Sequence, residues 1–384
     1  MTERLYEKDS YCREFEAKVI DCFQDGDYYK IVLDCTAFFP EGGGQAPDSG
    51  FLGETKVLDV QIENGMIFHK TEKPFNVGET VTGKIDWDLR FSRMQSHSGE
   101  HIVSGIVHKE FGYNNVGFHM SESVMTVDFD GPLSQEDINL IELKANRAVF
   151  ENLSVLVSYP TDDELESIPY RSKIDIKDQI RIVTIGEVDC CACCAPHPSR
   201  TGEIGIIKIL DFAPHKKGTR IEMIAGINAY NDYFAISASN KALMKLLSAS
   251  RYSVLEAVEK QSDILKELKS ENMKMSRSLA LSNLQPEWTE SSAVAFSENL
   301  SYDDLRYCSN ALVEKGANAC ALFSKTDNGN YLYVLSSNGG DIRDTVKKLN
   351  EAFSGKGGGK PDYAQGQILS CDEDKIKEFL KGLL

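Results

Sequence analysis

Two short segments hold residue types at spacings that suit a metal ion. The first is His97-Ser98-Gly99-Glu100-His101. Histidines at i and i+4 of a helix project from one face, with Cβ atoms ~6 Å apart, so both imidazoles can reach a single ion. The second is Cys190-Cys191-Ala192-Cys193-Cys194-Ala195-Pro196-His197. Within it, Cys193 and His197 offer a thiolate and an imidazole four residues apart, both good zinc donors. Other pairings exist. Cys190-x-x-Cys193 and Cys191-x-x-Cys194 have zinc-knuckle or redox spacing, and Cys194-x-x-His197 is a further ligand pair. Together, His97, His101, Cys193 and His197 make a His₃Cys set, suited to one zinc per chain. A rival reading takes His97-x-x-Glu100-His101 as an inverzincin-type peptidase motif, with Glu100 as general base and a downstream glutamate as third ligand.

Weaker signals surround these. The run Gly42-Gly43-Gly44-Gln45 allows close backbone approach, either as a wall of a binding site or as a tight turn. His119 is a candidate pocket or catalytic residue, although a core or surface position suits a histidine here better. Lys356-Gly357-Gly358-Gly359-Lys360 could cradle phosphates through backbone N–H groups flanked by two cations.

The elements that must position these residues follow from patterning. Residues 1–88 read as short strands with turn signals at Asp25-Gly26-Asp27 and Asn64-Gly65, as in a small β-barrel. Residues 89–234 read as α+β. Met94, His97, His101, Ile102, Gly105 and Ile106 share a helix face, a second helix lies near Ser134–Asn152, and strands follow at Ser154–Tyr159, Ile180–Ile185, Ile204–Ile209 and Thr219–Ile227. Residues 235–284 read as a helical connector of coiled-coil type, a long helix or a hairpin, with Leu243, Leu247, Val254, Val258, Ile264, Leu268, Met275 and Leu279 at helical steps. Residues 285–384 alternate strand and helix as a small α/β domain, with the 354–362 segment read as a loop before its last strand. The expected fold class is therefore α+β with four parts.

The chain has 384 residues and a formal net charge of −17. Bulk charge therefore cannot hold nucleic acid, although a local basic face can. The connector, Lys241–Asn283, carries eight basic and five acidic residues, a balance of +3, whereas residues 1–240 carry −16. No run of 18 apolar residues or apolar N-terminal core occurs, so neither a membrane span nor a secretory signal is expected. A cytoplasmic setting follows, in which ten cysteines suit a metal or redox site better than disulfides.

The sequence resembles the editing domain of alanyl-tRNA synthetase and its free-standing relatives, the AlaX trans-editing proteins. The match rests on His97-x-x-x-His101, on Cys193-x-x-x-His197 followed by Thr201-Gly202-Glu203-Ile204-Gly205, and on Pro40-Glu41-Gly42-Gly43-Gly44-Gln45 with Asp48 and Gly50. It extends to Gly357-Gly358-Gly359-Lys360-Pro361-Asp362-Tyr363-Ala364-Gln365-Gly366, similar to the glycine-rich signature of the family's C-terminal, DHH-associated domain. The four motifs run in the family's order over residues 38–366, which implies the long form with a tRNA-binding C-terminal domain. The barrel begins almost at Met1, so a free-standing editor is expected rather than a ligase. The resemblance implies hydrolysis of tRNA for alanine mischarged with serine or glycine, and it favours Cys193 over Cys194 as ligand. A homodimer through the connector or the C-terminal domain fits this pattern. One departure stands out: the family's Cys-Gly-Gly-Thr-His is here Cys193-Cys194-Ala195-Pro196-His197, without the threonine hydroxyl. The remaining alternative is a tRNA-binding protein without catalysis; a phosphodiesterase is disfavoured because the chain has no Asp-His-His triplet.

Overall fold

A computed structural model describes residues 2–121, 123–172, 180–289 and 291–384. It divides into two units, Met1–Ala242 and Leu243–Leu384.

In the first unit, six antiparallel strands close on themselves in the spatial order Glu14–Asp25, Tyr28–Leu33, Met66–Thr71, Thr55–Glu63, Gly50–Leu52 and Thr80–Ile85. Strict alternation drives the closure: Phe15, Ala17 and Val19 point inward while Glu14, Glu16 and Lys18 face water. Phe38, Phe39, Leu52, Val57, Val60 and Ile67 fill the interior.

Beside the barrel runs the helix Trp87–Phe111, started by the Asp86 side chain accepting from Leu89 N and ended by Gly112 at φ 72°. Its face pattern suggests an amphipathic helix, yet every residue from Met94 to Val107 is buried. Packing on several sides explains this. The helix Gln135–Phe150, the four-stranded antiparallel sheet containing Gly218–Ala225, and the strand Asp189–Ala192 all press on it. Gly105 permits the last contact, since a Cβ there would lie 2.5 Å from the Val188 carbonyl oxygen. That approach carries His101 to Asp189. The strand Asp189–Ala192 belongs to a three-stranded antiparallel sheet with Ile182–Ile185 and Val155–Ser158.

Two expected elements differ in this unit. The 204–209 strand starts only at Ile207, because Thr201–Ile204 is a 3₁₀ turn closed by Gly205 at φ 75°. The connector begins earlier, as the helix Ile227–Leu247.

A second helix, Val254–Asn283, follows and has no buried residue, so its apolar positions Val258, Leu268 and Leu279 are exposed. Between the helices Ser248 adopts φ 51°. The rest of the second unit is a six-stranded mixed sheet with the helices Tyr302–Glu314, Arg343–Ala352 and Glu373–Leu380. The parallel pair Ser292–Glu298 and Ala319–Lys325 is connected through Tyr302–Glu314. The expected loop at 354–362 is corrected here. Lys356–Gly359 forms an edge strand, antiparallel to Tyr363–Ile368. Absence of side chains permits it, because a Cβ at Gly357 would lie 2.2 Å from the Tyr333 hydroxyl oxygen.

Candidate metal centre and active site

The buried helix presents His97 and His101 with ring centroids 5.2 Å apart. The segment leaving Asp189–Ala192 brings Cys193 and His197 against them, with the His197 ring 5.2 Å from His97 and 5.0 Å from His101. One donor atom of each of the four lies within 4.8 Å of the others. His97 Nε2 is 3.5 Å and His197 Nε2 3.4 Å from Cys193 Sγ.

The opposite ring nitrogens are all occupied. His97 Nδ1 donates to Gln45 Oε1 at 2.9 Å, His101 Nδ1 donates to Asp189 Oδ2 at 2.9 Å, and His197 Nδ1 pairs with Ser98 Oγ at 2.7 Å. Such bonds fix ring orientation and tautomer, leaving Nε2 of each ring for the centre. Sequence reasoning assigned Gln45 to substrate contact and missed Asp189 and Ser98. Their only signal was position: Ser98 lies between the two histidines and Asp189 just before the cysteine run.

A second donor group, His101, Asp189 and Cys191, is also compact. Asp189, however, already receives Arg171 Nε on its other oxygen at 2.7 Å. Its carboxylate is thus neutralised and serves as a prop for His101. Cys194 stays outside the four-residue cluster. Its Sγ lies 3.6 Å from where a Cβ on Gly42 or Gly43 would stand.

Burial opposes ionisation of the Cys193 thiol, but attraction to the surrounding imidazoles and hydrogen bonding to them outweigh it, holding its pKa well below the thiol range. Burial likewise opposes protonation of His101, yet Asp189, Cys191 and Cys193 raise its pKa well above the usual value. Burial pushes His197 down to about 3, despite the pull of Cys193. The cluster therefore favours a thiolate beside neutral His197, the donor forms a cation requires, and the His101 proton is the one a cation would displace.

The glycine run forms a turn against this cluster. Gly42 and Gln45 exchange backbone hydrogen bonds of 3.1 and 3.0 Å, with Gly43 at φ 61° and Gly44 at φ 81°. A Cβ on Gly44 would lie 2.7 Å from the Phe118 ring, and one on Gly43 would lie 3.8 Å from His97 Cε1. The turn reading is observed, and Gly43 and Gly44 of the turn line the cavity described next. The turn is tied down from behind. Asp48 Oδ2 accepts from Phe39 N at 2.6 Å, and the fully buried Arg90 binds Asp48 and the carbonyls of Ala37 and Ser10.

These residues open into a cavity of about 1490 Å³. Glu100 lines it together with His97, His101, Cys193, Gly43 and Phe118. Glu100 is 1% exposed, and Ser104 Oγ and Asn115 Nδ2 both donate to its Oε1. His119 is a correction. Strand alternation turns Phe118 toward His97, with centroids 5.4 Å apart, and leaves His119 exposed and outside the cavity lining.

In the second unit, Gly357, Gly358 and Gly359 line a smaller cavity of about 410 Å³. The cations lining it are Arg343 and Lys347 of the neighbouring helix, whereas Lys356 and Lys360 lie exposed along the glycine strand.

A mixed α+β fold with a buried His/Cys cluster behind a glycine turn fits an aminoacyl-tRNA editing domain. Family profiles agree. Residues 10–89 match "tRNA synthetases class II (A)", 180–223 the "Threonyl and Alanyl tRNA synthetase second additional domain", and 290–383 the "DHHA1 domain". The alanyl-tRNA editing protein AlaX-L of Pyrococcus horikoshii is 29% identical, over 100% of this chain and 98% of its own length. An alanyl-tRNA editing protein of Rattus norvegicus is 28% identical over 94% and 93%. An alanine–tRNA ligase of Pyrococcus abyssi is 32% identical over all of this chain but 43% of its own length. The chain belongs to the alanyl-tRNA editing proteins, with the DHHA1 domain attached.

Proposed function

We propose that this chain is a hydrolase that removes serine or glycine from mischarged tRNA for alanine, cleaving the ester between the amino acid and the terminal ribose. The observation that carries the reading is the convergence of four buried donors, three of them fixed through Nδ1, at a cavity that a glycine turn also lines, in an editing-family chain. An alanine pocket cannot strongly reject glycine or serine, which gives a second, hydrolytic site its purpose.

His97, His101, Cys193 and His197 are the proposed zinc ligands. The donor set suits that ion: imidazole and thiolate chemistry, four in number, with the His101 proton the one that binding would displace. When bound, zinc would supply positive charge that orients the ester and lowers the pKa of nearby water. The chain's own groups do the rest. Gly43 and Gly44 let the aminoacyl end lie close against backbone, and Phe118 closes the wall behind it. Glu100, held by Ser104 and Asn115, is assigned to accept a proton from the attacking water. His119 has no role.

In this reading residues 1–88 supply the glycine turn and 89–234 the hydrolytic centre. Residues 235–284 are a basic connector, and 285–384 grip the tRNA body through the 356–360 strand. A second copy of the chain, along the exposed apolar positions of Val254–Asn283, is a proposed partner, and the cytoplasm the proposed location. Among the described residues no helix is long and apolar enough to cross a membrane.

The test is release of amino acid from Ser-, Gly- and Ala-charged tRNA by the purified protein, with and without a chelator. Chelator-sensitive hydrolysis of the first two, far faster than of Ala-tRNA, is expected. Inertness on all three, or peptide cleavage that depends on Glu100, would overturn the reading.

A further inference from the structure

The cavity is also lined by side chains that the ester chemistry does not use. At about 1490 Å³ it exceeds the roughly 300–1,000 Å³ of pockets that enclose drug-sized ligands. A seryl group fills little of it. Arg181 and Tyr159 also line it, brought side by side by the antiparallel pairing of Val155–Ser158 with Ile182–Ile185.

Arg181 is 8% exposed and, among the described residues, faces no carboxylate in an ion pair. Of the carboxylates lining the cavity, Glu7 is paired with Arg4 at 3.0 Å, and Glu100 is held by Ser104 and Asn115. A guanidinium has five N–H donors. Nη1 gives two, to the carbonyls of Cys193 at 2.7 Å and Ala195 at 2.9 Å. Nε is buried with no hydrogen-bond partner among the described residues. A buried cation with a surplus donor calls for an anionic oxygen. Beside it, the Tyr159 ring is 42% exposed, a flat aromatic surface at the rim. Residues 1–240 carry −16 in all, Arg181 included, which makes a cation in the cavity wall the natural point of attachment for a phosphate.

We propose that Arg181 and Tyr159 form the subsite for the substrate's 3′-terminal nucleotide: the guanidinium binds the 5′-phosphate of the terminal adenosine, and the Tyr159 ring stacks on its base. This rests on the hydrolase reading above. The subsite holds the ribose ester over the His/Cys cluster, and Arg181 links the two by gripping the Cys193 and Ala195 carbonyls.

The experiment uses adenosine 5′-monophosphate and adenosine as competitors of Ser-tRNA hydrolysis by the full chain. The monophosphate should inhibit about tenfold or more better than adenosine, the worth of a charge-assisted hydrogen bond. Arg181→Gln should erase that preference, leaving adenosine inhibition and bound metal per chain unchanged. Tyr159→Leu should weaken both inhibitors several-fold, with the phosphate preference intact. Equal inhibition by the two compounds in the wild type would overturn the proposal, as would an Arg181→Gln protein that keeps the preference. Loss of metal with weakening of both inhibitors in Arg181→Gln would make Arg181 a prop for residues 193–197 alone. Failure of the wild-type chain to hydrolyse Ser-tRNA is a different result, and it strikes the hydrolase reading itself.

Discussion

Asp189→Asn tests whether the residues behind the histidines set metal affinity. Asp189 uses one oxygen for His101 Nδ1 at 2.9 Å and the other for Arg171 Nε at 2.7 Å, while 6% exposed. Asparagine has one carbonyl oxygen, so it can satisfy only one of these two donors and must turn an NH₂ toward the other. If Arg171 keeps the oxygen, His101 loses the acceptor that fixes its tautomer. A hydrogen bond to a charged group contributes about 1.5–3 kcal/mol, and outer partners of metal ligands are worth about 10–100-fold in affinity. Zinc affinity should therefore fall about 10–100-fold, measured by competition with a chromophoric chelator. Asp128→Asn is the control. It removes an Arg–Asp pair of similar length, with Arg220 at 2.6 Å, that makes no contact with the cluster, and it should leave zinc affinity unchanged. Asp189→Asn within twofold of wild type would refute the argument that Asp189 holds His101 for the ion.

Other outcomes follow from the same geometry. Cys193→Ser should abolish stoichiometric zinc binding and Cys194→Ser preserve it, read by metal analysis; the reverse would reassign the thiolate ligand. Gly44→Ala meets Phe118 at 2.7 Å from a backbone at φ 81°, so it should lower stability by about 1–3 kcal/mol and hydrolysis more than tenfold while zinc stays bound. His69, fully buried against Thr36 and the Ile31 carbonyl, has its pKa lowered by burial from 6.5 to about 4. The unfolded chain therefore binds the extra proton first. Stability is full above pH 6.5 and falls by about 3 kcal/mol as pH drops toward 4, a dependence that denaturant titrations should find flattened in His69→Gln. Replacing Lys356 and Lys360 by alanine should weaken tRNA binding and reduce the log–log salt slope by about one per lost phosphate contact; an unchanged slope would place the grip elsewhere.

The sequence by itself carried the chemistry of the centre. His97, His101, Cys193 and His197 were legible because i, i+4 spacing on a helix and the density of thiols are local facts, and their convergence needed only that two segments meet. The barrel's alternation and the order of strands and helices in the C-terminal domain were legible for the same reason. Tertiary structure alone decided which partner each histidine has. Gln45, Ser98 and Asp189 reach the rings from a turn, a helix and a strand, and sequence spacing says nothing about contacts across 52 and 88 residues. It also separated Phe118 from His119, since a strand alternates its faces but only packing decides which face meets the site. The burial of Glu100 was likewise decided by packing: the helix is enclosed along its middle, and Ser104 and Asn115 satisfy the carboxylate. The glycine strand at 356–359 looked like a loop in the sequence. Glycine is a poor strand former locally, and only the closeness of Tyr333 and the paired strand makes the missing side chain a requirement.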